Sequence, residues 1–134
     1  IRYITIILDD NQPKVYGLDS VDLDKKTYVV EGPIDSMFLD NCIAMAGSAV
    51  SKFENLNFVY VYDNEPRNEQ IIKQIEKQID AGNKVCIWPE SIKVKDINDM
   101  ILSGMTSKDI ENIIDENTFE GMAAKLNLMR WRKV

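Results

Sequence analysis

Four carboxylates follow short apolar runs: Glu31 after Thr27–Val30, Asp63 and Glu65 after Phe58–Tyr62, and Asp96 a few residues beyond Lys84–Trp88. Two residues apart in extended chain, Asp63 and Glu65 project to the same side and could grip one or two cations together. Gly32-Pro33 forces a sharp turn that leaves the Glu31 carboxylate at the end of its strand. Acids brought that close repel one another unless they hold divalent cations. Hard oxygen donors without His or Cys point to Mg²⁺ or Mn²⁺. Glu31 could then be a metal ligand or a general base. Any one of these acids taken alone reads better as an ordinary solvated loop residue; their recurrence at three strand ends is what argues for a site. There is no His, and the two cysteines, Cys42 and Cys86, sit apart in apolar runs. That leaves little room for a classical zinc site or for Ser-His or Cys-His catalysis. The cysteines read as reduced core residues of an intracellular protein.

The elements that would position these acids are legible as alternating periods. Tyr3–Leu8 and Lys14–Leu18, separated by a turn at Asp9–Pro13, read as a β-hairpin. From Thr27 the pattern becomes strand and helix by turns. Strands are expected at Thr27–Val30, Ile43–Ala46, Phe58–Tyr62 and Lys84–Trp88, with short helices at Ile34–Leu39 and Ala49–Glu54. A longer amphipathic helix spans Asn68–Ala81, with Ile71, Ile72, Ile75 and Ile79 on one face and Gly82 closing it. Apolar strands of about five residues alternating with helices indicate an α/β fold: a parallel four-stranded sheet with flanking helices. Ligands bind such sheets beyond the carboxyl ends of the strands, where the acids lie. After Pro89 helices are expected at Asp96–Leu102, Ser107–Ile114 and Glu120–Arg130. The division is a hairpin segment at 1–26, a catalytic domain at 27–104 and a helical extension at 105–134.

Glu31-Gly32-Pro33-Ile34-Asp35 resembles the E-G-x-x-D signature of the Toprim domain, which is shared by bacterial-type primases, topoisomerases and some nucleases. Asp63-Asn64-Glu65 lies where that family carries D-x-D, although its second acid is Glu and reaches one methylene further. Gly47-Ser48-Ala49 is similar to a turn of the primase members. Lys95-Asp96-Ile97-Asn98-Asp99 looks like their K-D-x-N-[DE] segment, and Tyr16-Gly17-Leu18-Asp19 like a strand upstream of it. Together these motifs span Lys14 to Leu102, and the whole chain looks like the C-terminal portion of primases of the T-even phage type. The resemblance implies a Rossmann-like Toprim fold and synthesis of RNA primers on single-stranded DNA from ribonucleoside triphosphates. It implies Mg²⁺ or Mn²⁺ on Asp63, Glu65 and Asp96, with Glu31 as ligand or base. It also implies a replicative helicase as primosome partner and a bacterial host cytoplasm as location. Lys95 is a triphosphate contact or a solvated lysine. Arg67 touches nucleotide or, with Asn68, simply begins the helix. Asp35 is expected to cap backbone N–H groups. Rival readings are a Toprim nuclease, a topoisomerase fragment, or a non-catalytic Mg²⁺-binding signalling or interaction domain.

Composition bounds the rest. With 134 residues and 45% apolar content, the chain has enough apolar surface for one core. No apolar run is long enough to span a membrane. The chain opens at Ile1 with neither Met nor a signal peptide, and reads as a fragment of a longer protein. The last fourteen residues hold Lys125, Arg130, Arg132 and Lys133 and no acid, which leaves −10 on the rest of a chain of net charge −6. Arg130, Trp131, Arg132 and Lys133 are thus candidates for contact with DNA or a partner. The alternative is a terminal helix whose bases suit its dipole and whose tryptophan covers the core. An acidic body repels template, so the chain alone is expected to support little or no primer synthesis.

Overall fold

The computed structural model describes residues 14–16, 21–22, 24–46 and 57–134. Its six-stranded sheet runs β1-β3-β2-β4-β5-β6. The strands are β1 (Lys14–Tyr16), β2 (Thr27–Val30), β3 (Cys42–Ala46), β4 (Phe58–Val61), β5 (Lys84–Cys86) and β6 (Thr118–Phe119). β3, β2, β4 and β5 are mutually parallel. β1 and β6 add antiparallel edges against β3 and β5. The expected four parallel strands are therefore the centre of a wider sheet. β6 escapes a sequence reading because two residues between helices carry no period. Its pairing to Val85 and Cys86 spans more than thirty residues of chain.

Side chains alternate across the strands and define two apolar layers. Tyr28, Val30, Val59, Val61 and Cys86 face α3 (Ile97–Leu102) and α4 (Ser107–Glu116), whose Met100, Ile110 and Ile114 are fully buried. Val29, Ile43, Tyr60 and Val85 face α2 (Glu69–Asp80) and α5 (Gly121–Trp131). There Ile71, Ile75, Ile79 and Leu128 close the other core. The segment after 104 thus packs on both faces of the sheet. Tyr60 and Trp88 are buried core residues, as are the free thiols Cys42 and Cys86.

α2 follows its apolar period. Asn68 caps its N-terminus by accepting from the N–H groups of Gln70 and Ile71, and Gly82 turns the chain at φ 83°. Two expected elements are shorter than their patterns. α1 is a single turn, Pro33–Ser36, in place of Ile34–Leu39: Pro33 starts it early, and past Ser36 the chain tightens into turns in which the Met37 and Phe38 N–H groups donate to the Ile34 (3.1 Å) and Asp35 (3.2 Å) carbonyls. β5 ends at Cys86 rather than Trp88: the Ile87 N–H still donates to the Asn117 carbonyl (3.0 Å), one step beyond the Cys86–Thr118 pair, but Pro89 follows with no N–H to extend the ladder. The helix expected at Ala49–Glu54, the Gly47-Ser48-Ala49 turn, and the hairpin apart from Lys14–Tyr16 lie outside the described residues.

Asn41 ties the connection before β2 to the start of β3. Its side-chain amide donates to the carbonyls of Asp22 (3.0 Å) and Lys26 (2.8 Å), and its oxygen accepts from the Asp22 N–H (2.7 Å). Asn41→Ala is expected to destabilise the protein by roughly 2–3 kcal/mol in urea melts, because it loses these bonds and strains a left-handed position. Asn41→Gly should lose less, since only the bonds go. Equal losses would mean that backbone conformation plays no part.

Candidate active site

β2 leads toward β3 on one side, whereas β4 leads toward β5 on the other. The crevice between their carboxyl ends is a topological switch point, where open α/β sheets receive ligands. Val30 pairs with Val61 at the last step of the register. The next residues outward are Glu31 on one strand and Tyr62-Asp63 on the other, so the fold brings the two acids to the same end of neighbouring strands.

The two are coupled electrostatically. The Asp63 carboxyl is pushed up to about 7, first by burial and then by Glu31, Asp35, Asp96 and Glu65. Glu31 is raised by burial, then by Glu65 and Asp35. Asp35 is also raised by burial, and by Asp96 and Asp99, against the opposing effects of the Asn98 N–H and Lys95. The other three expected acids therefore all act on Asp63, and Asp35, which the sequence reading assigned to capping, is a fifth member of the cluster. Among the described residues no group of three or more such side chains is close enough to hold a metal ion unaided. The acids are coupled without forming a closed cage.

Three of these acids, Asp96, Asp35 and Glu65, have backbone or amide partners. Asp96 caps α3 by accepting from the Asp99 N–H (2.8 Å). Asp35 also caps, as expected, but the N–H it accepts belongs to Asn98 in the first turn of α3, at 2.9 Å, and not to its own helix. That bond fastens the turn after β2 to the segment carrying Asp96. Glu65 accepts from the Asn68 side-chain amide (3.0 Å) and lies 3.8 Å from the half-exposed Lys95 ammonium. Arg67 is exposed in the turn before α2, and Asn68 begins that helix.

The residue between the two acids proves structural. The Asn64 N–H donates to the Lys95 carbonyl (2.6 Å), and its side-chain amide donates to the carbonyls of Ile92 (3.0 Å) and Val94 (3.1 Å). Its side-chain oxygen accepts from the Trp131 indole N–H (2.9 Å). One residue thus joins the Asp63–Glu65 loop, the 92–95 loop and the end of α5. Trp88 adds a second tie, donating to the Tyr62 carbonyl at 2.8 Å. Sequence spacing treated Asn64 as a spacer, and nothing local to it signals partners 28 to 67 residues away. Of the four C-terminal candidates, Trp131 is committed to Asn64, Arg132 pairs with Glu76 (2.9 Å) and the Lys133 N–H donates to the Pro66 carbonyl (2.8 Å). Arg130 is exposed.

Fold and site together define an α/β protein with an acid-lined crevice at a sheet switch point. The chain is similar to the DNA primase of Enterobacteria phage T4, at 40% identity over 139 aligned positions. These positions cover 99% of this chain and 40% of that protein, so the chain spans about two-fifths of the relative's length. No protein-family model matches the chain. The similarity supports a primase-related family. Among the described residues no helix is long and apolar enough to cross a membrane.

Two predictions follow the geometry. Asn64→Ala strands two carbonyls and an indole N–H, and should cost roughly 2 kcal/mol in urea melts. Trp131→Phe should cost about half as much, and wild-type stability in both would dissolve the strut. The second concerns pH. A carboxyl raised in the fold from 3.8 to about 7 favours folding fully below pH 3.8 and loses that contribution as pH climbs through about 7. In chelator, Asp63→Asn should therefore match wild type in melting temperature near the low end of that window. Its advantage should grow to a few degrees above the high end, about 1 kcal/mol once solvent screening of a half-exposed group is allowed for. A pH-independent difference would show that Asp63 is not crowded by the other acids.

Proposed function

We propose that this chain carries the metal-dependent nucleotidyl-transfer centre of a DNA primase, built on a Toprim-type fold. The observation that carries the reading is the crowding of Asp63 by Glu31, Asp35, Glu65 and Asp96 at the switch point. The similarity to the phage T4 DNA primase supports the choice of reaction.

The donor set suits a hard divalent cation, because every candidate ligand is a carboxylate oxygen. Mg²⁺ is usually bound through one or two carboxylates together with waters and substrate phosphates. Coupled acids that do not close a cage fit that mode. Asp63 and Glu65 would hold the cation. Asp96 would be a further ligand through the oxygen that does not cap α3. When bound, the cation supplies charge neutralisation at the transferring phosphate and activation of the attacking 3′ hydroxyl.

The chain's own groups do the rest. Glu31 stands across the crevice from Asp63, with its carboxyl raised by burial and by Glu65. It is placed to take the proton of the hydroxyl, or to serve as a ligand. Lys95, 3.8 Å from Glu65, lies at the rim where a triphosphate would enter. Asn64 keeps Asp63 and Glu65 oriented by fixing the loop between them. Single-stranded DNA, ribonucleoside triphosphates and a replicative helicase are the substrates and partner this reading requires.

In the full-length protein, Glu31→Gln is expected to lower template-directed primer yield by roughly two orders of magnitude or more, with the fold intact by circular dichroism. Yield within a few-fold of wild type would remove Glu31 from the chemistry. The metal reading has its own test in stability. In several millimolar Mn²⁺ the order of melting seen in chelator should reverse, because wild type gains more binding free energy on the folded side than Asp63→Asn. The same order in both buffers would mean that no cation binds at Asp63.

A further inference from the structure

Beside the acidic crevice lies a groove of about 530 Å³ between the end of β5, the 89–93 loop and the last turn of α5. Its volume is in the range that encloses a small ligand. Lys93, Arg130 and Lys133 line it, opposed by one acid, Glu90. Among the described residues none of these three cations is in an ion pair, whereas Lys95, Lys125 and Arg132 all are. A chain of net charge −6 thus collects exposed positive charge at one concave place.

The half-buried Trp131 also lines the groove. Its indole N–H is spent on Asn64, which fixes the ring in place and leaves stacking as the contact it can offer. Asn64 lines the groove as well, and it stands between Asp63 and Glu65. A ligand here would lie next to the acidic crevice, with the Asn64 side chain between them.

We propose that this groove is a nucleotide site, with Lys93, Arg130 and Lys133 holding phosphate and the Trp131 ring stacking on the base. The ligand is a nucleoside phosphate, either free or as one link of a single strand. The choice of a nucleotide over another anion rests on the nucleotidyl-transfer reading; the groove and its charge do not.

The test uses the whole chain in chelator, so that cations at the acidic crevice contribute nothing. Tryptophan fluorescence is followed while ATP, a short oligothymidylate or inorganic pyrophosphate is added at low salt. Saturable quenching by ATP or by the oligothymidylate is expected, weakening as salt rises. Quenching by ATP assigns a free nucleotide; quenching by the oligothymidylate alone assigns a strand. Lys93→Glu combined with Lys133→Glu should weaken the binding roughly tenfold or more, with the melting temperature unchanged. Trp131→Phe, followed by equilibrium dialysis of labelled nucleotide because it removes the reporting indole, should weaken binding less and leave the salt dependence in place. The site is overturned if neither nucleotide gives saturable quenching, if the charge-reversed variant binds as wild type does, or if pyrophosphate binds as tightly as both. Mn²⁺ uptake by the same variants reads the acidic crevice separately, so loss of one site leaves the other measurable.

Discussion

Carboxylates held side by side in a half-buried crevice repel one another, and the fold has to keep them there against that repulsion. The direction of the chain creates the problem: β2 and β4 run parallel in one register and end together in acids. Burial makes it worse, since it is the first cause of the raised carboxyls of Glu31, Asp35 and Asp63. What offsets it is a set of polar ties on the loops. Asn64 binds the loop after β4 to the 92–95 loop and to α5. Asp35 binds the turn after β2 to α3, and Trp88 fixes the Tyr62 carbonyl. Single ties of this kind contribute about 1 kcal/mol each, so several are needed to hold such a cluster. A crevice held under repulsion is one that gains most from a cation.

The same ties explain why the C-terminal helix belongs to the site although it carries none of its acids. α5 packs Ala124 and Leu128 into the core beneath β4 and β5. Its last turn then delivers Trp131 to Asn64 and the Lys133 N–H to Pro66. The chain's acidic and basic regions meet across one asparagine. Charge segregation that is visible as a basic tail in sequence becomes, in space, a basic groove beside an acidic crevice.

Much of this was legible beforehand. The runs at Thr27–Val30, Phe58–Tyr62 and Lys84–Trp88 are apolar because strands buried on both faces must be, and the spacing of Ile71, Ile72, Ile75 and Ile79 leaves a helix as the natural reading. The acids after those runs could be picked out because strand ends of a parallel sheet are few and known. Asn64, β6 and the distant partner of Asp35 were not legible in the same way. The hydrogen bonds of Asn64 and Asp35 reach 28 to 67 residues along the chain, and a polar residue carries no mark of a distant partner. Two residues of β6 are too few to show a period. Trp131 and Arg132 looked available for nucleic acid because their internal partners, Asn64 and Glu76, are equally remote.

The most direct measurement is the electron paramagnetic resonance signal of free Mn²⁺ titrated with wild type and with Asp63→Asn. If Asp63 and its neighbours form a cation site, wild type removes Mn²⁺ from the free pool in the millimolar range or below, and the variant binds at least about tenfold more weakly. Identical loss of the free signal in the two proteins, or no loss in either, would contradict the account.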